Sequence, residues 1–317
     1  MAVALVGPTA SGKSEIALAV ARARPGAVEL VSVDSMAVYR GMDIGTAKPT
    51  PAVRAEVPYH LVDLVDPDEE YTVTRFQEAA RAALEGIEAR GSTALLVGGT
   101  GLYLRAVTDD LSFPGRYPSV AADLAAELDR RGPEGSDGRL AGCAVLHARL
   151  GSLDPVAASR IEPGNERRLV RALEVTLGSG RPFSSFGPGL EQYPPSRLAL
   201  VGVDGGAEES DGRIASRFAL LMDEGLLEEV RRLAARPGGL SRTARQALGY
   251  RELLAHVEHG TPLADAVDEA VRRTRAFAKR QRAWFRRDPR IVWIDPHGDP
   301  VATMIEHLER DAGASHR

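Results

Sequence analysis

The stretch Gly7-Pro8-Thr9-Ala10-Ser11-Gly12-Lys13-Ser14 satisfies the phosphate-loop pattern G-x-x-x-x-G-K-[ST] without a mismatch. It constrains folding tightly, because such a loop functions only between a buried strand and a helix. The apolar run Ala2–Val6 supplies the strand, and Ser14–Ala23 the helical pattern. Glycines free the backbone amides to face an anion, and the helix N-terminus adds its dipole. Lys13 then places a charge on an outer phosphate, and the Ser14 hydroxyl is a ligand for Mg²⁺. With strand and helix both in place, the alternative of a plain glycine turn with an exposed lysine is the weaker reading. The loop selects a phosphate-bearing ligand, by default a nucleoside triphosphate such as ATP, and is silent on the reaction.

The alternation continues along the chain. Glu29–Val33, His60–Val65 and Thr93–Val97 are Val- and Leu-rich runs that predict further buried parallel strands. Thr74–Arg90 predicts a helix in which Phe76, Ala79, Ala80, Ala83, Leu84 and Ile87 recur at helical spacing before Gly91 closes it. This is an α/β pattern: a P-loop NTPase-like core with a mostly parallel sheet. From Pro114 to Ser196 no strand is convincing, and breaker-rich stretches, FPGRYP and PFSSFGPGLEQYPPS, bound a helical segment. Strand character resumes at Leu198–Val203 and again at Ile291–Asp295. At 317 residues the chain can hold a core of residues 1–113 and 197–317 and a helical insertion domain of residues 114–196.

Composition narrows the function classes. A net charge of −4 gives no sign of a nucleic-acid partner, so a basic site must come from local clustering. The single cysteine, Cys143, excludes a disulfide framework and a thiolate cage, and the seven histidines form no ligand-spaced cluster. No apolar run is long enough to span a membrane, and a strand at Val3–Val6 leaves no room for a signal peptide. A cytoplasmic monomer with no membrane partner is expected.

Asp34 ends the second strand, at the sheet edge that faces the ligand crevice. There it is a Mg²⁺ partner in an NTPase, a general base in a transferase, or a helix N-cap. The strand Thr93–Val97 ends in Gly98-Gly99-Thr100-Gly101 with no acid. Its glycines allow close backbone approach to a ligand, and Thr100 offers a hydroxyl or caps the helix from Leu102. On a helical wheel of RRTRAFAKRQRAWFRRDPR, Arg272, Arg275, Lys279, Arg282, Arg286 and Arg290 share a stripe, with Arg273, Arg280 and Arg287 beside it. Val271, Thr274, Phe277, Trp284 and Phe285 fall opposite, and only Asp288 offsets the charge within the run. Contact with a polyanion is the favoured reading. In the insertion, Arg167, Arg168 and Arg171 begin a helix, where cations oppose the dipole unless an anion lies nearby. Pairing with Glu166 and Glu174 is the alternative. Arg213 and Arg217, one turn apart, are either a phosphate clamp or surface charge.

Taken together, GPTASGKS, VDSMAVYRGMDIGTAKP, LLVGGTGLYLRA, DPVAASRIEPGNERRLVRALEV, QALGYREL and AKRQRAWFRRD resemble one family, the tRNA dimethylallyltransferases. The pieces run in the family's order and cover nearly the whole chain. The resemblance implies a prenyltransferase that moves a dimethylallyl group from dimethylallyl diphosphate to N6 of adenosine 37 in tRNA. Thr9–Ser14 would then hold the diphosphate, with Lys13 neutralising it and Mg²⁺ at Ser14. Asp34 would be the general base, Thr100 would orient the reacting groups, and Arg217 would hold the departing diphosphate. The tRNA-contacting stretches would be Asp34, Ser35, Met36 and Ala37; Arg167, Arg168, Leu169, Val170 and Arg171; and Gln246, Ala247, Leu248, Gly249, Tyr250 and Arg251. The insertion would grip the anticodon stem. One departure is Ala121, which stands where members often carry an arginine. A small-molecule kinase and a nucleic-acid-binding ATPase are the rival classes; neither gives a purpose to every piece.

Overall fold

Five consecutive buried residues form β1 (Ala2–Val6), as expected of a strand covered on both faces. The computed structural model describes residues 2–187, 189–190, 192–196 and 198–314, with side chains to residue 310. After β1 come α1 (Lys13–Ala23), β2 (Val28–Val33), α2 (Pro51–Glu56), β3 (Tyr59–His60), α3 (Val73–Ala89), β4 (Thr93–Gly98) and α4 (Gly101–Thr108). Four helices follow: α5 (Pro118–Asp129), α6 (Asp137–Leu153), α7 (Pro155–Arg160) and α8 (Glu166–Ser179). The remainder is β5 (Ala199–Val203), α9 (Ala207–Asp223), α10 (Leu226–Ala234), α11 (Tyr250–His259), α12 (Leu263–Phe285), β6 (Ile291–Ile294) and α13 (Pro300–Ala314).

The sheet is parallel throughout, in the order β3-β2-β4-β1-β5-β6. Alternation along β1 sends Ala2, Ala4 and Val6 to one face and Val3 and Leu5 to the other. The first face packs with Phe76, Leu104, Phe218, Leu253 and Phe285; the second with Ile16 and Val20 of α1 and Met304 and Leu308 of α13. Register then fixes the working edge. Gly98 pairs with Val6 on one side and Val33 on the other, so the phosphate loop, Asp34 and Gly99 leave the sheet level with one another.

The chain divides into two units, residues 1–110 with 194–317 and residues 111–193. The expected boundaries lay a few residues later, and Arg197, the first residue of the expected return, is outside the described residues. The second unit is helical in its described residues, around Leu124, Leu128, Cys143, Leu146, Leu150, Leu169 and Leu173.

One strand is shorter than its apolar run predicts. Of the expected His60–Val65 only His60 pairs with β2, together with Tyr59 just before the run. Leu61 and Asp63 adopt left-handed backbone, at φ of 63° and 55°, which ends an extended ladder. The run turns back instead to brace the segment after β2: the Asp63 N–H donates to the Ala37 carbonyl (3.1 Å), and those of Leu64 and Val65 to the Val38 carbonyl (2.7 and 3.0 Å).

The lower end of β2 carries a buried carboxylate. Arg90 donates twice to Glu29 (3.0 and 2.7 Å), and His60 Nε2 lies 2.6 Å from it. Arg90 leads in pulling the Glu29 pKa from 4.5 to about 2; burial opposes and His60 assists. Because the folded pKa lies below the unfolded one, the stabilisation is whole above about pH 5 and drains as pH falls toward 2. Glu29→Gln should therefore lower Tm by roughly 2–6 °C at pH 7. The gap from the parent should close in acid; a gap independent of pH in thermal melts would remove the carboxylate from this account.

Candidate active site

Gly12 precedes α1 at φ of 83°, where a Cβ would be strained, and Ala10 is held at 64°, a non-glycine residue in the same region. No side chain caps the helix, and the buried Ser11 hydroxyl has no hydrogen-bond partner among the described residues. Unpaired buried hydroxyls are costly, so the loop is shaped for a polar ligand. Lys13 donates to the Pro8 carbonyl (3.0 Å) and bends back over the loop. Burial lowers its pKa to about 8; Asp34 acts to raise it and Arg217 to lower it further. The Lys13 ammonium therefore feels both the Asp34 carboxylate and the Arg217 guanidinium. Ser14 is exposed in the first turn.

Asp34 Oδ1 accepts the N–H groups of Met36 (2.7 Å) and Ala37 (3.3 Å), closing a turn rather than capping a helix. Among the described residues no hydrogen bond reaches its Oδ2, which leaves that oxygen for a proton. Thr100 stands before α4, yet its hydroxyl makes no cap; it accepts the Ser35 N–H (3.3 Å) and ties the Asp34 turn to the end of β4. Arg217 is exposed on α9 with no partner among the described residues, whereas Arg213 pairs with Glu209. The two arginines are thus not a joint clamp.

The glycines after β4 have a packing role. A Cβ at Gly99 would lie 2.3 Å from Gln281 Nε2, and one at Gly101 would lie 2.1 Å from Trp284 Nε1. They admit α12. Gln281, buried on that helix, accepts the Thr9 N–H (2.9 Å) and donates to the Gly99 carbonyl (2.8 Å). Sequence reasoning missed it, although a lone amide at the helical spacing of Phe277 and Phe285 was a signal. It missed Glu229 as well. This buried carboxylate of α10 accepts the N–H groups of Asp43 (3.0 Å), Ile44 (2.9 Å) and Gly45 (3.3 Å) and the Tyr250 hydroxyl (2.5 Å). Lys48, its side chain 1% exposed, braces the same segment by bonding Asp43 and Asp63 (2.8 and 2.6 Å). Together they fix the chain that follows Asp34.

The cationic stripe is thinner than its wheel predicts. Arg282 binds the buried Asp204 through two nitrogens (2.8 and 2.9 Å) and also reaches the Gly206 carbonyl; Arg286 shares Asp204 and lies over the Trp293 ring. Arg272 pairs with Glu269, Arg273 with Glu252, and Arg275 leans on the Asp211 carbonyl. Arg290 is beyond the helix: one of its nitrogens donates to both Asp109 (2.7 Å) and the Pro194 carbonyl (2.6 Å), and another to Asp288. Glu269 comes from α12 itself and Asp288 from the run, but Asp204, Glu252 and Asp109 come from elsewhere in the chain, which the run could not reveal. Lys279, Arg280 and Arg287 stay exposed without an acidic partner among the described residues.

The remaining predicted stretches divide by burial. In the second unit, Arg167 and Arg168 are exposed, and Glu166 binds Arg139 (2.8 Å) rather than either of them. Arg171 instead pairs with Glu174 (2.9 Å) and the Pro114 carbonyl (2.8 Å), Leu169 is buried, and Val170 is partly buried. In the first unit, Ala247, Gly249 and Tyr250 are buried, so only Gln246, Arg251 and the half-buried Leu248 present side chains. Ala37 is buried, while Ser35 and Met36 are partly open. The half-buried Ala121 lies on α5 and brings only a methyl group.

Parallel sheet, phosphate loop after β1, and an acid after β2, with only β4 between the two strands, define an α/β protein of the P-loop class with groups for a phosphate-bearing ligand. The family model described as IPP transferase matches residues 37–288. The chain belongs to this family. It is 48% identical to a tRNA dimethylallyltransferase of Kineococcus radiotolerans over 97% of this chain and 95% of the relative. It is likewise 48% identical to one of Salinispora arenicola, over 93% and 82%. Among solved structures, the full-length tRNA isopentenylpyrophosphate transferase of Bacillus halodurans superposes with a TM-score of 0.68 at 33% identity, covering 100% of this chain and 99% of that one. A eukaryotic dimethylallyltransferase acting on tRNA shares the fold, with a TM-score of 0.76 at 24% identity over 100% of this chain and 80% of that one.

Removing Glu229 tests the support of the site. Glu229→Ala leaves three amides and a tyrosine hydroxyl without their acceptor and should cost roughly 3–5 kcal/mol in urea unfolding. A loss below about 1 kcal/mol would show that water replaces the carboxylate.

Proposed function

We propose that the protein transfers a dimethylallyl group from dimethylallyl diphosphate to N6 of adenosine 37 in tRNA, releasing diphosphate. The observation that carries this reading is the phosphate loop with Lys13 and the Asp34 turn leaving the sheet level with each other in an IPP transferase family chain. An adenine N6 is a weak nucleophile because its lone pair is delocalised into the ring. Rate must come from stabilising the leaving group, aligning the reactants and removing a proton.

The residues divide that work. The phosphate-loop amides, Lys13 and Arg217 hold the diphosphate and stabilise charge on its bridging oxygen as the allylic C–O bond breaks. The C–O electron pair leaves with the diphosphate, the N6 lone pair forms the new C–N bond, and the N6 proton passes to the open Oδ2 of Asp34. Thr100 holds the Asp34 turn in place through Ser35. Mg²⁺ fits as an ion carried with the diphosphate. Ser14 would hold it, its role would be neutralising phosphate charge, and no described cluster of three or more His, Cys, Asp or Glu makes a protein cage. The target base would be flipped out to reach this edge. Arg167, Arg168, Gln246, Arg251, Lys279, Arg280 and Arg287 are the exposed groups available for RNA. No helix among the described residues is long and apolar enough to cross a membrane; cytoplasmic placement and a monomeric state stay part of the proposal.

Labelled dimethylallyl diphosphate supplied with an unmodified anticodon stem-loop should transfer label to RNA. Labelled ATP in parallel should not be turned over, and ATP turnover without allyl transfer would favour a kinase. Asp34→Ala should lower turnover by roughly 10²–10⁴-fold while leaving RNA affinity nearly unchanged; near-normal turnover removes Asp34 as the base. The Lys13 ammonium loses its proton as pH rises through about 8 in the free protein. Affinity for an unreactive allyl diphosphate analogue should therefore fall up to about tenfold between pH 7 and 9, and Lys13→Met should flatten that dependence in calorimetric titrations.

A further inference from the structure

We infer that Gln281 is a positioning residue for allyl transfer, one that sets the phosphate loop in register with the strand end that carries Thr100. The inference rests on the function proposed above and adds a residue to it. Gln281 is 7% exposed and bridges two loops that no backbone hydrogen bond joins directly among the described residues. Its amide oxygen accepts both the Thr9 N–H (2.9 Å) and the Thr9 hydroxyl (3.1 Å), and its amide nitrogen donates to the Gly99 carbonyl (2.8 Å).

The partners dictate the amide's orientation. A backbone N–H can only donate and a carbonyl can only accept, so the reversed amide would oppose like groups at both ends. The bridge thus requires one acceptor and one donor on the same side-chain terminus. Thr9 lies in the loop assigned to the diphosphate. Gly99 precedes Thr100, whose hydroxyl holds Ser35 beside Asp34. The amide therefore links the residues on the leaving group to those at the base. Displacing one loop against the other by even about 1 Å can cost on the order of 100-fold in rate. Gly99 supports the assignment, since its missing Cβ is what lets the Gln281 nitrogen reach the carbonyl.

Two near-isosteric variants separate positioning from packing. Gln281→Met retains volume and removes both polar ends. Gln281→Glu retains the acceptor for Thr9 but, when ionised, sets a carboxylate against the Gly99 carbonyl. Each should lower kcat/KM for allyl transfer by roughly 10- to 100-fold, with RNA affinity within about twofold and cooperative melting retained. A protonated carboxyl again offers one acceptor and one donor, and burial raises its pKa. The Glu variant should therefore recover relative to the parent, assayed at the same pH, as pH is lowered from 8 to 6, while the Met variant should not. Transfer by the parent establishes the underlying activity; its absence would sink the proposed function itself. With the parent active, unchanged kcat/KM in both variants, loss of cooperative folding in both, or pH-independent loss in the Glu variant would each overturn the positioning role.

Discussion

Everything at the working edge depends on the register of three strands. Gly98 is paired with Val6 and with Val33 at once, and a Cβ there would lie 2.0 Å from the Val33 carbonyl. That contact leaves no space for a side chain, so the ends of β1, β2 and β4 close on one another without slack. Parallel strands point their carboxyl ends the same way, and the loops leaving them share a crevice. Asp34 and the phosphate loop become neighbours because the sheet ends there, with no direct bond between them. A one-residue slip of β4 would move Thr100 away from Ser35 and send its buried side chains to the wrong face.

The distribution of charge follows from burial. Asp204, with a side chain 1% exposed, is a carboxylate that burial alone would push toward neutrality; Arg282 and the Gly206 N–H hold its pKa below the ordinary range. Such a pair organises the end of β5 and is closed to a ligand. Lys13 is the opposite case, a partly buried cation whose pKa is lowered by desolvation, with Asp34 opposing the fall and Arg217 adding to it. A diphosphate bound as proposed would stabilise its charged form. The exposed Lys279, Arg280 and Arg287 can meet a phosphate backbone, since no acid claims them among the described residues. Counting arginines on a wheel conflates these three situations.

Sequence periodicity was a sound guide wherever one element decides its own structure. The phosphate loop, β1, α3 with its buried Phe76, Ala80 and Ile87, and the helical character of the insertion are all of that kind. It failed where the deciding partner is distant in the chain. Apolar content at Leu61–Val65 said strand, but positive φ at Leu61 and Asp63 made a brace for the Ala37–Val38 segment. Tyr250 sits in a stretch whose resemblance implied RNA contact, yet its hydroxyl is buried on Glu229, 21 residues earlier. Gln281 touches Thr9 across 272 residues, a relation that no local pattern carries. The site's charged members were therefore legible as residue types at strand ends, whereas the polar groups that hold them in place became visible only through packing.

Arg290 gives the two-unit architecture a practical consequence. A single guanidinium nitrogen holds Asp109, where the core chain departs, and the Pro194 carbonyl, where it returns. Departure and return are thereby stapled within the core itself, and all six strands belong to that unit. For the core, the helical segment is topologically a loop whose ends are already closed. Its length and sequence can change through evolution or design without a strand having to move.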